Sequence, residues 1–304
     1  MVVTTQMYIT TLRWVSLRSE ININNISCIN IKMKLELKRF NISTITDDKV
    51  VVMIGKRNTG KSFLIRDLLY HNKSFQVGTV ISGTESSNGF FGQIIPKMFI
   101  HSEYKDNIID NVVKRQTTIM KNVSKEINSY GHTNIDPRAF LVLDDCLYDS
   151  SWTKDKNVRA LFMNGRHLKV FFIISMQYPL GIPPNLRTNI DYIFILRENI
   201  VANRKRIYDN YAGMFQNFEI FCQVMDQCTE NYECLVIDNT TKSNKLEDNV
   251  FWYKAETHPS FQMCNQQFWE LSKKMNNDNE IEEDYDPSCF RKKKQPSINV
   301  KKKH

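Results

Sequence analysis

A three-layer α/β/α fold around a mostly parallel sheet is predicted by three observations. Short apolar runs at 49–54, 139–143, 170–175 and 192–196 alternate with amphipathic segments. A glycine-bearing loop stands directly between the first run and the first amphipathic segment. The second run is followed at once by two carboxylates, and the third, after Met176, by an amide side chain. Continuous apolar runs of strand length suit strands covered on both faces, and helices between them suit parallel crossovers. With 304 residues and 41% hydrophobic residues, the chain has ample material for such a core and is not disordered throughout.

In chain order, residues 1–32 are rich in Thr, Asn and Ile without a usable period, and are expected to form an extension outside the folded domain. They lack a basic stretch followed by an apolar one, so secretion is not expected, and no run of 18 apolar residues predicts a membrane span. From Met33 an alternation through Leu35, Leu37, Phe40 and Ile42 predicts a first strand; its phase slip at Lys38–Arg39 is one that a β-bulge absorbs. The folded domain is therefore expected over 33–275. Residues 49–54 predict a buried strand, 61–71 a helix with Phe63, Leu64, Leu68 and Leu69 on one face, and 158–167 a further helix. The last stretch, 276–304, is acidic and then basic with almost no apolar side chains, and is expected to be a disordered tail.

Gly55-Lys56-Arg57-Asn58-Thr59-Gly60-Lys61-Ser62 fits G-x-x-x-x-G-K-[ST], the Walker A pattern, in its required place between a strand and a helix. Glycines let such a loop wrap closely, so that successive N–H groups face phosphates, and the helix N-terminus adds partial positive charge. Lys61 is expected to reach the β- and γ-phosphates, and the Ser62 hydroxyl to ligate Mg²⁺. At the end of the 140–143 run, Asp144 is the expected Walker B metal-site acid and Asp145 the group that polarises the attacking water; ligands bind at that end of the strands in open α/β sheets. Gln177, after the 171–176 run, is placed to sense the γ-phosphate or the water. The expected substrate is ATP with Mg²⁺. A guanine-reading N/T-K-x-D motif is absent, because Thr153-Lys154-Asp155-Lys156 has the wrong spacing.

Longer strings carry a more specific resemblance. Residues 141–149 (Leu-Val-Leu-Asp-Asp-Cys-Leu-Tyr-Asp), 162–167 (Phe-Met-Asn-Gly-Arg-His) and 176–189 (from Met176-Gln177-Tyr178-Pro179 to Asn189) resemble the genome-packaging ATPases of large nucleocytoplasmic DNA viruses. These are the poxvirus-type branch of the FtsK–HerA superfamily, and the similarity spans roughly residues 35–255. The resemblance implies a RecA-like motor domain, a homo-oligomeric, hexameric ring, and double-stranded DNA bound without regard to base sequence. It further implies a capsid or portal-vertex partner and an assembly site in the host cytoplasm or the virion. By position it brings Arg166 and Arg187 into regions that bear the family's arginine motifs, and either is a candidate finger reaching a neighbour's site. Asp145 stands where the wider superfamily often has Glu. Two other readings stay open: a HerA-like cellular DNA motor, and a nucleotide-dependent assembly protein without motor activity.

The surface that would meet DNA is less sharply encoded. Residues 105–130 predict one long helix, with Ile108, Ile109, Val112, Val113, Ile119, Met120, Val123 and Ile127 in an arc of about 140°. Lys114, Lys121 and Lys125 lie opposite, as a ridge suited to phosphates; Arg204-Lys205-Arg206 is a second basic candidate. The net charge of +8 permits such a partner. The seven cysteines form no C-x-x-C pair, and reduced thiols in an intracellular setting are expected.

Overall fold

The computed structural model describes residues 35–145 and 150–280. The extension 1–32, the tail from 281 onward, and Cys28, Cys146 and Cys289 lie outside the described residues. The chain divides into two units after Glu36, and every strand of the sheet belongs to the second.

Eight strands form one sheet: β1 (Val50–Ile54), β2 (Gly78–Ser82), β3 (Ile100–His101), β4 (Ala139–Asp144), β5 (Val170–Met176), β6 (Tyr192–Ile195), β7 (Glu233–Asp238) and β8 (Val250–Lys254). Their spatial order is β3-β2-β4-β5-β1-β6-β7-β8. The first six in that order run parallel, and β7 and β8 close one side antiparallel. The longer helices are α1 (Lys61–His71), α2 (Asp106–Tyr130), α3 (Lys156–Asn164), α4 (Val201–Tyr211), α5 (Phe218–Cys228) and α6 (Gln266–Glu280). This is the predicted three-layer α/β/α architecture of a RecA-like P-loop NTPase.

The alternation of each central strand feeds two apolar layers. Val51, Met53, Phe140, Val142, Phe171 and Ile173 share one core with Leu64, Leu68 and Leu69 of α1. Val50, Val52, Leu141, Leu143, Phe172 and Ile174 are equally buried on the other face, where Phe162 of α3 packs edge-on to Phe172 at 5.3 Å. Burying one such side chain contributes about 1.5–3 kcal/mol relative to leaving it exposed. The helices therefore hold the central strands in place from both sides.

Over its described part, residues 35–42, the strand expected from Met33 onward does not form. Residues 38–40 make one bridge to the outer side of β8, with the Phe40 N–H donating to the Trp252 carbonyl at 2.8 Å. The ladder stops there because Asn41 starts a 3-10 turn over Ile42–Thr44, its side chain accepting from the Ser43 N–H. Phe40 instead inserts among Tyr192, Phe194, Phe251 and Tyr253. The helix expected over 158–167 starts earlier, capped by the Asp155 carboxylate, and ends at Asn164. Strands β2, β3, β7 and β8 were not among the predicted elements, and α6 runs on to Glu280.

The long helix forms as Asp106–Tyr130. Of its apolar arc only Ile109 and Val123 are fully buried, and Ile127 is exposed. Between them sits buried Gln116, whose amide N–H groups donate to the Pro137 and Leu168 carbonyls, each at 2.7 Å. A polar side chain thus pins the middle of α2 to the ends of two loops.

Candidate functional site

The site forms at the C-terminal ends of β1, β4 and β5, which are neighbours in the order β4-β5-β1. That order places the β5 terminus between the loop after β1 and the acids after β4. Side chains from three segments far apart in sequence therefore meet at one edge.

The loop after β1 is shaped by its two glycines. A Cβ on Gly55 would come within 2.7 Å of the Thr59 hydroxyl and 2.8 Å of the Leu196 Cβ, so no larger residue fits without displacement. Gly60 has φ +100°, a left-handed conformation that leads into α1, and Asn58 is also left-handed at +60°. Gly60 caps α1 without a side-chain hydrogen bond, and no acidic residue stands in the first turn. The positive end of the helix is thus left for an external anion.

The Lys61 ammonium is buried and folds back over the loop, donating to the Gly55 carbonyl at 2.8 Å and the Lys56 carbonyl at 3.0 Å. Burial pushes its pKa down, while the carboxylates of Asp145 and Asp144 work in the other direction. Lys56 turns aside to the buried Glu198 carboxylate at 2.8 Å. It thereby braces the loop against the segment after β6. Arg57 is exposed at the loop tip.

Asp144 is buried at the end of β4 between two hydroxyls from its flanking strands. Ser175 of β5 donates to Oδ1 at 2.5 Å, and Ser82 of β2 donates to Oδ2 at 3.3 Å. Register explains both contacts, because Ser82, Asp144 and Ser175 are direct cross-strand partners. Burial raises the Asp144 carboxyl above its ordinary value, opposed chiefly by the Ser175 hydrogen bond. Asp145 takes a left-handed φ of +50°, and its N–H donates to the Ser175 hydroxyl at 3.1 Å. Its carboxylate accepts from the Gln177 amide. The acid and the amide expected to handle water and γ-phosphate are therefore one hydrogen-bonded unit.

These groups line a cavity of about 920 Å³ that includes Lys61, Ser62, Asp144 and Asp145. Leu196 and Tyr232 also line it, against the loop, with Tyr232 Cδ1 at 3.6 Å from where a Cβ on Gly60 would stand. Tyr232 is 69% exposed and left-handed at φ +66°, as is Asn231 at +49°. Two consecutive non-glycine residues in that region hold an aromatic ring at the mouth of the cavity. The Ser62 hydroxyl and Asp144 carboxylate are hard oxygen donors of the kind that Mg²⁺ takes alongside substrate phosphates, so the residues fit that ion. Sequence reasoning missed Ser82, Ser175 and Tyr232. Ser175 had a signal, since it is the one polar residue of the apolar run 170–176.

The two arginines lie away from this cavity. Arg166 pairs with buried Asp191, whose other oxygen accepts from the Val50 N–H at the opposite end of β1. That position is about 16 Å from the loop along the strand. Arg187 donates to the Ile182 carbonyl at 2.7 Å and to Asn210, and its guanidinium stands 5.4 Å over the Tyr211 ring. Neither is assembled with Lys61 and Asp145 within one chain.

Among the basic residues proposed for DNA, Lys114 pairs with Asp110 at 2.5 Å. Lys121 and Lys125 are exposed along a shallow groove on α2. Arg204 pairs with Asp226 and Lys205 with Asp209, while Arg206 bonds Asn203 and stacks near Tyr178. That second patch is spent on local contacts. Among the described residues, Cys222, Cys228, Cys234 and Cys264 are free thiols, and no helix is long and apolar enough to cross a membrane.

An uncharacterized protein of Acanthamoeba polyphaga mimivirus is 39% identical over 245 residues, covering 80% of this chain and 85% of that protein. An uncharacterized protein of Invertebrate iridescent virus 6 is 44% identical over 217 residues, covering 71% and 80%. No family model matches the chain. Among solved structures, the genome packaging NTPase B204 from Sulfolobus turreted icosahedral virus 2, in complex with ATP-gammaS, aligns at 15% identity. Its TM-score is 0.45, with 70% of this chain and 100% of that one covered. The pCW3 conjugation coupling protein TcpA aligns at 12% identity and a TM-score of 0.49, covering 77% and 66%.

Proposed function

We propose that this chain, which belongs to one family with those mimivirus and iridescent-virus proteins, is an ATP-hydrolysing translocase of double-stranded DNA that loads a viral genome into its capsid. The observation that carries the reading is the convergence of Lys61, Ser62, Asp144 and Asp145 on one cavity, with Gln177 bonded to Asp145 behind it. The viral family supports a genome as the cargo, and the exposed lysines of α2 support contact with phosphates rather than bases.

In this reading the triphosphate of ATP lies along the loop amides from Lys56 to Ser62. Lys61 exchanges the Gly55 and Lys56 carbonyls for phosphate oxygens. Ser62 and Asp144 would hold Mg²⁺, which would supply charge neutralisation to the phosphates. Asp145 orients the attacking water, and Gln177 fixes the Asp145 carboxylate to β5. Tyr232 stacks on the base. The negative charge that develops at the γ-phosphate is met by an arginine of the neighbouring subunit in a homo-oligomeric ring.

A trans arginine contributes roughly 10³–10⁵ in rate, so specific activity should rise with protein concentration and with added duplex DNA. Arg166→Ala and Arg187→Ala should each be assayed alone and mixed with Lys61→Ala subunits after confirmed subunit exchange. Arg166→Ala leaves Asp191 the Val50 N–H and Lys49 at 4.0 Å, and its melting temperature serves as the fold control. Recovery of activity in mixed rings identifies the finger. Hydrolysis independent of both DNA and protein concentration would overturn the motor reading.

A further inference from the structure

The helix that starts at the phosphate loop carries a second chemical cluster. Asp67 and His71 are four residues apart on α1 and so face the same side. His258, on the segment after β8, completes the group. The three side chains each offer a ligand atom, and these atoms all lie within 4.8 Å of one another.

Asp67 is completely buried, yet no lysine or arginine lies within ion-pairing distance of it among the described residues. Its Oδ2 is taken by the Tyr253 hydroxyl at 2.7 Å and the Glu256 N–H at 3.0 Å. Its Oδ1 faces two imidazoles, with Nε2 of His258 at 2.6 Å and Nε2 of His71 at 3.5 Å. Tyr70 fixes both rings: His258 stacks on it at 3.8 Å and 7°, and His71 stands perpendicular at 5.8 Å and 87°. A buried carboxylate is costly unless its charge is met. Here two oriented imidazoles converge on one oxygen, and the other oxygen is anchored by outer donors, as the ligands of a metal centre are.

We propose that Asp67, His71 and His258 form a zinc site that clips the P-loop helix to the segment after β8. Two imidazole nitrogens and one carboxylate oxygen suit Zn²⁺, whereas Mg²⁺ takes oxygen donors. His71 lies at the surface, the side from which a water would come as fourth ligand. The site is separate from the nucleotide cavity, whose lining includes none of the three. It therefore stands whether or not the chain hydrolyses ATP.

The test uses the full chain, stripped with a chelator and titrated with Zn²⁺ or Co²⁺. One equivalent should bind, and the melting temperature should rise by a few degrees, because the metal binds the folded state. Co²⁺ should give the visible absorption of a four-coordinate N/O site without an intense thiolate band, which separates it from the cysteines. His71→Ala and His258→Ala should each weaken Zn²⁺ binding at least tenfold, while Lys61→Ala and Cys264→Ser leave it unchanged. The His71 side chain is 26% exposed and packs on Tyr70, so each variant is compared with itself in chelator and with Zn²⁺, and the metal-dependent rise in melting temperature reports binding apart from any change in the fold. Absence of Zn²⁺ binding, binding undiminished by His71→Ala, or a thiolate band would overturn the site and leave a hydrogen-bonded Asp–His cluster.

Discussion

The C-terminal edge of the sheet and the outer face of α2 both meet phosphate in the proposed function, and they are built in opposite ways. At the sheet edge the two acids and the lysine have fixed partners: Asp144 lies between Ser82 and Ser175, Asp145 holds Gln177, and Lys61 folds onto two carbonyls. On α2, Lys121 and Lys125 stand in solvent on a helix whose opposite face supplies the packing. The first arrangement fixes positions at low dielectric, where one group carries a large share of the chemistry. The second shares a screened interaction among flexible side chains, so each contributes little and the sum depends on salt.

The contrast is broken most directly at the sheet edge. Lys61→Ala should lower ATP turnover by roughly two to three powers of ten and weaken nucleotide binding. Asp145→Asn should keep nucleotide binding and lose turnover by a comparable factor, because it removes a charge that acts on water and leaves the loop intact. Steady-state hydrolysis beside equilibrium binding of an ATP analogue separates the two. Wild-type turnover by Asp145→Asn would remove the water-orienting role.

The same contrast explains what was legible in the sequence. The strands that carry the site are buried on both faces, so β1, β4 and β5 are continuous apolar runs, and the Gly55–Ser62 loop has a spacing that backbone geometry imposes. Asp144, Asp145 and Gln177 follow from strand ends. Ser82 was hidden because β2, Gly-Thr-Val-Ile-Ser, is a weak strand signal whose meaning depends on lying beside Asp144. Tyr232 was hidden because its place is set by the β6–β7 antiparallel register, a pairing that no local pattern announces. Phe40 misled in the other direction: alternation from Leu35 onward suggested a strand, but the apolar side chain is an anchor for one bridge. On α2 the period was right and the depth was not, since polar Gln116 is as deeply buried as Ile109 on the inner face.

Tyr232 lies between the two extremes, because it is exposed like the lysines yet held by the backbone. Stacking of a base on an aromatic ring contributes about 1–3 kcal/mol. Tyr232→Ala should therefore raise KM for ATP about fivefold or more with kcat nearly unchanged, and Tyr232→Phe should restore the wild-type KM. A split of this kind marks binding shared by ground and transition states. A fall in kcat with KM constant would place the ring in the chemistry instead, and no change in either would place the base elsewhere in the cavity.

The smallest effect, and the one that sharpens the comparison, belongs to α2. Each lysine that neutralises a phosphate adds about 0.9 to the slope of log affinity against log salt. Lys121→Ala and Lys125→Ala should each lower duplex affinity only a few-fold near physiological salt, equally for any base sequence, and together should reduce the slope by about 1.8. Lys114→Ala should do less, because Asp110 already engages that ammonium. Basal ATP hydrolysis without DNA should not change in any of them, since the groove on α2 shares no lining residue with the nucleotide cavity. If the double variant kept the wild-type salt slope, DNA would have to meet another face of the protein. The exposed arginine at the loop tip, Arg57, would then be the next group to test, because it lines the cavity that binds nucleotide in the proposed function.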